Sequence, residues 1–502
     1  MSLDEKEKAR DLAGEEYLGR PSVDVETASL HVASPFRGKW ARRLAQWGVE
    51  ARGIQPVPLE ERTDTQYYKI FAVFMSSNLT ILTLSSGTLG PVVFGLSVRD
   101  SCLIILAFTA FCTIFPAYLV TWGPKLGMRQ MVLARYTFGY YGAIVPCMLN
   151  LVVVVTFSML NCILGGQTLA SVTDGRLSWT VGIVIFTIIS LIISFFGLKF
   201  LHWYEQVAWI PILITLIITV GIGGKHFSDP PMPEPASVAG VLGFAGVQAG
   251  LMIPWAAYSA DYASYISPDV PSWKIFCASY GGLFLSVVPT QCIGAAVAAA
   301  AATVPAWEER YAGGDIGGLL NAVLAPLGGF GQFLTVLLSL SVAANLVSIF
   351  YSSTLNFQVS IPPLVVVPRY VFSIIIAAVV LPLSIVGSHR FYTAITNILG
   401  LMGYWTSVFV VVLIIEHLYF RSNSFGNYDP DAWDQPKRLP PGLAALGTGI
   451  LSFGLIVPCI SQVWFLGPIA ERAGDIGFEV ALGLSAVLYP PLRWAELRRF
   501  GR

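Results

Sequence analysis

The stretch TLSSGTLGP at residues 83–91 interrupts an apolar run with two glycines and a proline. A second interrupted stretch, GVQAGLMIPW, occupies residues 246–255 of a later apolar run. Such breaks free backbone N–H and C=O groups from helical pairing, and hydrocarbon offers these groups no partner. Irregular backbone therefore persists at membrane depth only where it lines a cavity or is buried in protein. The two stretches predict broken helices that border a binding site.

The composition of the 502-residue chain excludes an ordinary soluble protein. Apolar residues make up 55% of the chain and charged residues 12%, whereas soluble domains carry about 25% charged residues. One membrane crossing takes about 20 apolar residues, and about twelve runs of this kind are present. We number them spans 1 to 12; they cover residues 68–97, 101–123, 137–171, 178–200, 203–224, 239–265, 274–303, 329–358, 366–387, 390–417, 443–466 and 476–493. We expect an all-α polytopic membrane protein.

The two interrupted stretches lie in spans 1 and 6, the first spans of two consecutive sets of five. Because five is an odd number, the second set enters the membrane inverted relative to the first. Broken helices at corresponding places of inverted repeats are typical of secondary transporters. The predicted segments are a tail (1–66), a first repeat (67–224), a second repeat (225–418), spans 11 and 12 (419–494) and a C-terminal end (495–502).

The basic residues predict the orientation of the chain in the membrane. When the long N-terminal tail is set aside, 13 Lys and Arg residues lie on the side of the termini and 6 on the other side. Loops on the cytoplasmic side of membranes are enriched in these residues. We therefore expect both termini in the cytoplasm, and the polar, proline-containing tail shows no cleavable signal peptide.

Several classes of function receive no support from the sequence. The formal net charge of zero gives no sign of nucleic-acid binding. The seven cysteines include no C-x-x-C pair, so neither a disulfide framework nor a zinc site is indicated. Walker and nucleophile-elbow motifs are also absent from the sequence, which disfavours an ATP-driven pump or an enzyme. We expect no catalytic residue, no cofactor and no metal site.

Four motifs in order resemble a known family. They are SGTLGP at 86–91, NCILGGQTL at 161–169, Trp255 followed by Ala-Asp-Tyr at 260–262, and Ala-Asn at 344–345. Together they are similar to the fungal purine–cytosine permeases of the nucleobase–cation symporter 1 family, over most of the span from 50 to 495. The resemblance implies a LeuT-like core of 5+5 inverted repeats with two peripheral helices. It further implies import of cytosine and purines across the plasma membrane by proton symport and alternating access.

A neutral planar heterocycle needs flat faces to stack on and amide groups that match its edge. Trp255, beside the second break, can supply one face. Phe157 stands where the resemblance implies a second aromatic, and it shares a helix face with Asn161 because the two are four residues apart. The resemblance also implies that Asn345 contacts the substrate. We expect these four residues, together with Thr83 of the first break and Ile349 of span 8, to form the substrate site.

A carboxyl group inside a membrane is costly and is therefore a functional candidate. Glu205, near the predicted cytoplasmic end of span 5, matches an acidic position that the resemblance associates with binding or coupling. Hydroxyl groups of the first break, Ser85 among them, could serve either a proton relay or a sodium ion. The resemblance favours the proton. Asp261 is interpreted as a capping or pairing residue, and Glu416 and His417 as residues of the membrane interface.

The chain departs from the family pattern just beyond Asn345. Family members often carry a Pro-Asn pair that contacts the base, and here Ser348 and Ile349 occupy those positions. Loss of an edge-reading amide changes specificity, because such a contact discriminates between ligands by large factors. The alternatives are a pyridoxine (vitamin B6) or nucleoside carrier and a non-transporting nutrient sensor. The expected partners are a nucleobase-like heterocycle, membrane lipid and the ubiquitin machinery, which could act on Lys6 and Lys8.

Overall fold

The apolar runs form helices in a computed structural model that describes residues 53–173, 175–195, 205–227, 235–361, 363–364, 367 and 369–502. Span 1 comprises two helices, Tyr68–Asn78 and Ile81–Val92, and span 2 comprises Val98–Cys112, Ile114–Val120 and Trp122–Leu126. Spans 3 to 12 contain Ile144–Ser171, Trp179–Phe195, Trp209–Gly223, Val238–Met252, Ser272–Ala301, Gly329–Ser360, Arg369–Gly387, Phe391–Ile415, Leu443–Ile456 and Gly477–Phe500. The connecting elements are helices Gln130–Phe138, Pro305–Tyr311, Ile316–Leu324 and Ala470–Ala473, and the strands Ser461–Gln462 and Phe465–Leu466.

The helix lengths make the chain a multi-pass membrane protein. Seven continuous helical stretches of the described residues are long and apolar enough to cross a membrane, and the bent pair of span 1 makes an eighth. One of the seven, Val371–Phe420, runs for 50 residues and contains spans 9 and 10, since one crossing takes about 20 residues. Spans 4 and 11 are shorter apolar helices.

Helix packing confirms the inverted repeat. Span 1 packs on span 7, and span 6 packs correspondingly on span 2. Span 3 contacts spans 4 and 9, and its counterpart, span 8, contacts spans 9 and 4. Span 5 contacts span 8 as span 10 contacts span 3. Exchanging spans 1–5 with spans 6–10 preserves these pairs, which define a bundle of spans 1, 2, 6 and 7 beside a scaffold of spans 3, 4, 8 and 9.

The break in span 1 lies earlier than the sequence predicted. The two helices of this span meet at a 58° bend at Leu79 and Thr80, whereas residues 83–91 are helical. Thr80 is extended, and its hydroxyl accepts a hydrogen bond from the backbone N–H of Thr83. It therefore caps a new helix. Pro91 stands one residue before the end of that helix.

The break in span 6 lies where the sequence placed it. The helix ends at Met252 and continues as two 3₁₀ turns, Ile253–Ala257 and Ser259–Tyr262. Gly250 serves packing, because a Cβ there would lie 1.8 Å from the Leu399 carbonyl oxygen of span 10. Gly87 of span 1 similarly allows the backbone of span 7 to approach, because a Cβ at this position would lie 2.1 Å from the Gln291 carbonyl oxygen. Both glycines therefore allow close helix contact.

The last part of the predicted N-terminal tail packs against the membrane domain. The Val57 N–H donates to the Gly127 carbonyl at 2.7 Å, and the Arg62 guanidinium donates to the Pro124 carbonyl at 2.9 Å. Farther along, the Ser267 N–H donates to the Asp64 carbonyl at 2.8 Å. Residues 54–66 therefore cross the ends of spans 2 and 6.

The end of span 10 is buried, in contrast to the predicted interfacial position. Glu416 is 1% exposed and His417 is fully buried. The Arg493 guanidinium of span 12 donates to both Glu416 carboxylate oxygens, at 2.9 and 3.0 Å. The Tyr489 hydroxyl donates to the same carboxylate at 2.8 Å. These charge-assisted bonds join span 12 to the inverted-repeat core.

Replacing Arg493 by Gln is expected to lower the free energy of unfolding by about 3 kcal/mol, because it removes the buried cation that Glu416 and Glu496 share and leaves Arg421 as the remaining cation near Glu416. Arg438→Gln is the matched control, since its partner Asp429 is exposed and exposed pairs contribute about 0–1 kcal/mol. Thermal unfolding of both purified variants in detergent measures the difference. Equal melting temperatures for the two variants would contradict a structural role for the Arg493–Glu416 pair.

Candidate functional site

A cavity lies beside the two breaks and is bordered by spans 1, 3, 6 and 8. It is lined by Asn78, Thr80, Leu82, Thr83, Phe157, Leu251, Trp255, Tyr258, Asn345 and Ile349. All ten residues are buried, and none of them is charged. The cavity is therefore enclosed and suits a neutral ligand.

Five of the six residues predicted for the substrate site line this cavity: Thr83, Phe157, Trp255, Asn345 and Ile349. The sixth, Asn161, is fully buried and reaches the cavity through Asn345. The structure thus brings the predicted residues together, while their contacts with a substrate stay a prediction.

The indole of Trp255 is held by edge-to-face contacts with two rings. Its centroid lies 5.4 Å from that of Phe74 on span 1 and 5.1 Å from that of Tyr258. Phe157 borders the cavity from span 3. Rings that are fixed in this way can offer a flat face to a planar ligand with little loss of rotamer freedom.

Span 8 supplies the partners of the backbone groups that the break in span 1 sets free. In a continuous helix the N–H of Ile81 would donate to the carbonyl of Ser77. Here the Asn345 side-chain amide donates to that carbonyl at 2.8 Å, and the Ile81 N–H donates to the Ser341 hydroxyl at 3.0 Å. The break is thus stabilised by two polar side chains that lie one turn apart on span 8.

Asn161 fixes the orientation of Asn345. Its amide donates to the Asn345 side-chain oxygen and to the Phe157 carbonyl, both at 2.8 Å. Within the described part of the chain, the buried side-chain oxygen of Asn161 has no hydrogen-bond partner. An unpaired buried acceptor is costly, so this oxygen is available to a donor.

Glu205 lies behind the cavity wall and is 1% exposed. The Ser348 hydroxyl donates to its Oε1 at 2.6 Å, and the Ser76 hydroxyl donates to its backbone carbonyl. The preceding residues, 201–204, lie outside the described residues. Ser85, also predicted for coupling, is fully buried within the second helix of span 1, where its hydroxyl donates to the Leu82 carbonyl at 2.8 Å.

Sequence reasoning missed several residues of the cavity wall, notably Asn78, Thr80 and Tyr258. The polar pair Asn78 and Thr80 inside an apolar run was the available signal, since it marks the true break. Tyr258 follows Trp255 by three residues and offered no signal beyond that proximity. The described residues contain no group of three His, Cys, Asp or Glu side chains placed to hold a metal ion.

A set of hydroxyl contacts joins span 1 to span 10. The Thr88 hydroxyl of span 1 lies 3.2 Å from the Tyr392 hydroxyl at the start of span 10. The Tyr392 hydroxyl also contacts that of Tyr311, which lies on the connection between spans 7 and 8. Three separate elements therefore meet at Tyr392.

A second set of polar contacts surrounds Asp261 at the end of span 6. The Asp261 carboxylate accepts from the Gln130 backbone N–H at 2.7 Å and from the Ser352 hydroxyl at 3.4 Å. The Arg129 guanidinium donates to the Asp261 backbone carbonyl at 2.8 Å. Asp261 thus has the pairing role that the sequence suggested, and it ties the end of span 6 to span 8.

Comparison with known proteins identifies relatives along nearly the whole chain. The family described as permease for cytosine/purines, uracil, thiamine, allantoin matches residues 56–457. The purine-cytosine permease fcyB of Emericella nidulans is 33% identical over 472 residues, which cover 92% of both chains. The vitamin B6 transporter TPN1 of Saccharomyces cerevisiae is 28% identical over 525 residues, covering 93% of this chain and 91% of TPN1.

A solved structure shares the fold. Mhp1, a nucleobase-cation-symport-1 family transporter in a closed conformation with bromovinylhydantoin bound, aligns with a TM-score of 0.69. The alignment covers 89% of this chain and 96% of Mhp1 at 16% sequence identity. The 5+5 inverted-repeat architecture is thus that of a known transporter fold.

Replacing Tyr392 by Phe keeps the ring but removes the hydroxyl contacts with Thr88 and Tyr311. We expect this change to make the cavity more accessible to reagents. Each contact contributes about 0.5–1.5 kcal/mol, so access should rise about tenfold. A cysteine placed at Thr83, in a chain without its seven native cysteines, reports access through its rate of reaction with a methanethiosulfonate reagent. Tyr419→Phe is the control, since Tyr419 is 74% exposed. Equal labelling rates would show that these hydroxyls do not hold the cavity closed.

Proposed function

Because the chain belongs to the family of permeases for cytosine/purines, uracil, thiamine and allantoin, we propose that it imports a nucleobase, cytosine or a purine, across the plasma membrane. Family membership makes the chain a transporter rather than an enzyme. In the proposed cycle, a proton moves with the base, and the cavity opens alternately to each side. The distribution of basic residues supports cytoplasmic termini.

The observation that carries this proposal is the chemistry of the enclosed cavity. Its wall combines two aromatic side chains, Phe157 and Trp255, with the amide of Asn345 and no charged group. Nucleobases are neutral, planar and edged with hydrogen-bond donors and acceptors, so stacking and an oriented amide suit them. The substrates named for fcyB, and the ligand bound in Mhp1, are heterocycles of this kind.

The proposed proton coupling rests on Glu205. A neutral substrate leaves the coupling charge to another group, and Glu205 is a buried carboxyl within a membrane span. Intramembrane carboxyl groups commonly serve as proton relays. The proposed cycle assigns the contacts of Tyr392 and of Asp261 to the closure of the two routes to the site.

Ile349 supports a second candidate, a vitamin B6 carrier. This side chain lies on the cavity wall, where it offers an apolar surface and no hydrogen-bonding edge. A site with fewer groups that hydrogen-bond to the edge of the ring discriminates less strongly between a nucleobase and another heterocycle. TPN1, named as a vitamin B6 transporter, is among the relatives. Pyridoxine is therefore the competing substrate in the test.

Uptake of radiolabelled cytosine, adenine, hypoxanthine and pyridoxine by cells that lack their own carriers tests the proposal at acidic and neutral pH. We expect saturable base uptake that is stronger at acidic pH. Asn345→Ala should reduce it by about 10- to 100-fold, because loss of a buried hydrogen-bond partner costs about 1–3 kcal/mol. Glu205→Gln should remove the pH dependence. Asn150→Ala is the control, since this buried amide lies on span 3 away from the cavity wall.

Uptake of pyridoxine alone would replace the nucleobase assignment by the vitamin B6 assignment. Counterflow tests transport itself: cells preloaded with unlabelled substrate should accumulate the labelled compound faster. Failure of counterflow with a surface-expressed protein would contradict a transport cycle and favour a sensor. Glu205→Gln with an unchanged pH dependence would contradict the proton-coupling role of this residue.

A further inference from the structure

Hydrogen bonds that are joined through residue Ser77 lead from Glu205 to the cavity. The Ser348 hydroxyl donates to Glu205 Oε1 at 2.6 Å and lies 3.3 Å from the Ser77 hydroxyl. The Ser77 backbone carbonyl, in turn, accepts from the Asn345 amide at 2.8 Å. Asn345 lines the cavity. Spans 5, 8 and 1 thus meet in one polar chain inside an otherwise apolar region.

The serines of span 1 in this chain lie at the break. Ser76 and Ser77 belong to the last turn of the helix Tyr68–Asn78, directly before the bend. The Ser76 hydroxyl contacts the Glu205 backbone carbonyl, which fixes the first half of span 1 against span 5. Glu205 therefore contacts span 1 in the turn directly before its two halves are joined.

Each serine hydroxyl can donate one hydrogen bond at a time. A serine hydroxyl carries one hydrogen, an ionised carboxylate accepts hydrogen bonds only, and a protonated carboxyl can itself donate. While Glu205 is ionised, its Oε1 accepts the Ser348 hydrogen and cannot donate in return. Once Glu205 is protonated, its own hydrogen can be donated to the Ser348 oxygen, and Ser348 can then donate to Ser77.

We propose that Ser348 and Ser77 form a hydroxyl switch through which the protonation of Glu205 controls the position of Asn345 and the bend of span 1. Ser348 is a positioning residue in this scheme: the proton binds and leaves Glu205, and the serine hydrogens only change acceptor. The inference rests on the proposed function, in which Glu205 carries the coupled proton. It adds the route by which that proton is sensed at the substrate site.

Other ionisable groups stand on the elements that pack around Glu205. Tyr262, at the end of span 6, interacts electrostatically with Glu205 and with Asp261. Asp64 and Lys69, at the start of span 1, form their own pair at 2.9 Å. Further ionisable residues on or next to the packed spans 1 and 7 are Tyr67, Tyr68, Lys274, Cys277, Tyr280 and Cys292. The variants tested below leave all of these groups in place.

Ser348→Ala tests the switch, with Ser353→Ala as the matched control. Both serines are buried on span 8, but the Ser353 hydroxyl donates to the Phe350 carbonyl of its own helix at 2.8 Å. The readout is the KM for labelled cytosine at acidic and neutral pH, measured separately from the maximal rate. In the wild type we expect acidic pH to lower KM. Ser348→Ala should reduce this pH effect by about tenfold, since bonds to charged groups contribute about 1.5–3 kcal/mol.

Two further variants separate the switch from a folding effect. Ser348→Thr keeps the hydroxyl and should preserve the pH effect on KM. Ser77→Ala keeps the backbone carbonyl that accepts from Asn345 but removes the second hydroxyl of the switch, so it should weaken the pH effect on KM. This variant keeps the test possible if Ser348→Ala fails to fold. Surface expression and melting temperature are recorded for each variant.

One outcome would overturn the switch and leave the proposed function intact. In it, Glu205→Gln loses the pH effect on KM, whereas Ser348→Ala and Ser77→Ala both keep the effect of the wild type. An unchanged pH effect in Glu205→Gln would instead remove the coupling role of Glu205, and the switch with it. Equal loss in Ser348→Ala and in the control Ser353→Ala would also overturn the switch, because a general weakening of span 8 would then explain both.

Discussion

The structure depends on how the backbone groups freed at the break of span 1 are satisfied inside a membrane. The Ser77 carbonyl and the Ile81 N–H would pair with each other in an unbroken helix. Instead, Asn345 and Ser341 of span 8 pair with them. Because hydrocarbon provides no substitute partner, the bend can exist only where span 8 is packed against it. One pair of side chains thus joins the bundle to the scaffold and places Asn345 on the cavity wall.

The site combines rigid and responsive parts. Trp255 is fixed by the rings of Phe74 and Tyr258, and Asn345 is fixed by Asn161. Elsewhere, a few hydroxyl and carboxylate contacts at Tyr392 and Asp261 join elements of different spans. A hydrogen bond between neutral groups contributes about 0.5–1.5 kcal/mol, and one to a charged group about 1.5–3 kcal/mol. In the proposed cycle these contacts break and re-form while the site keeps its geometry.

The prediction from sequence was most successful for features that depend on local composition. Apolar runs predicted the helices, and the position of Pro254 after a glycine-containing run predicted the end of the span 6 helix. The same reasoning failed for span 1, because Gly87 and Pro91 fit within a helix: the glycine admits a neighbouring backbone and the proline lies in a last turn. Glu416 was assigned to the interface because its partner Arg493 is remote in sequence.

The sequence by itself determined a polytopic helical membrane protein with two sets of five spans, and it provided the aromatic and amide residues of the cavity. Only the tertiary structure decided where span 1 bends and which amide faces the cavity. The physical reason is the distance along the chain: the groups that satisfy the break lie 260 and 268 residues away. A local pattern reveals that a backbone can break, but the break lies where a remote side chain can satisfy the freed groups.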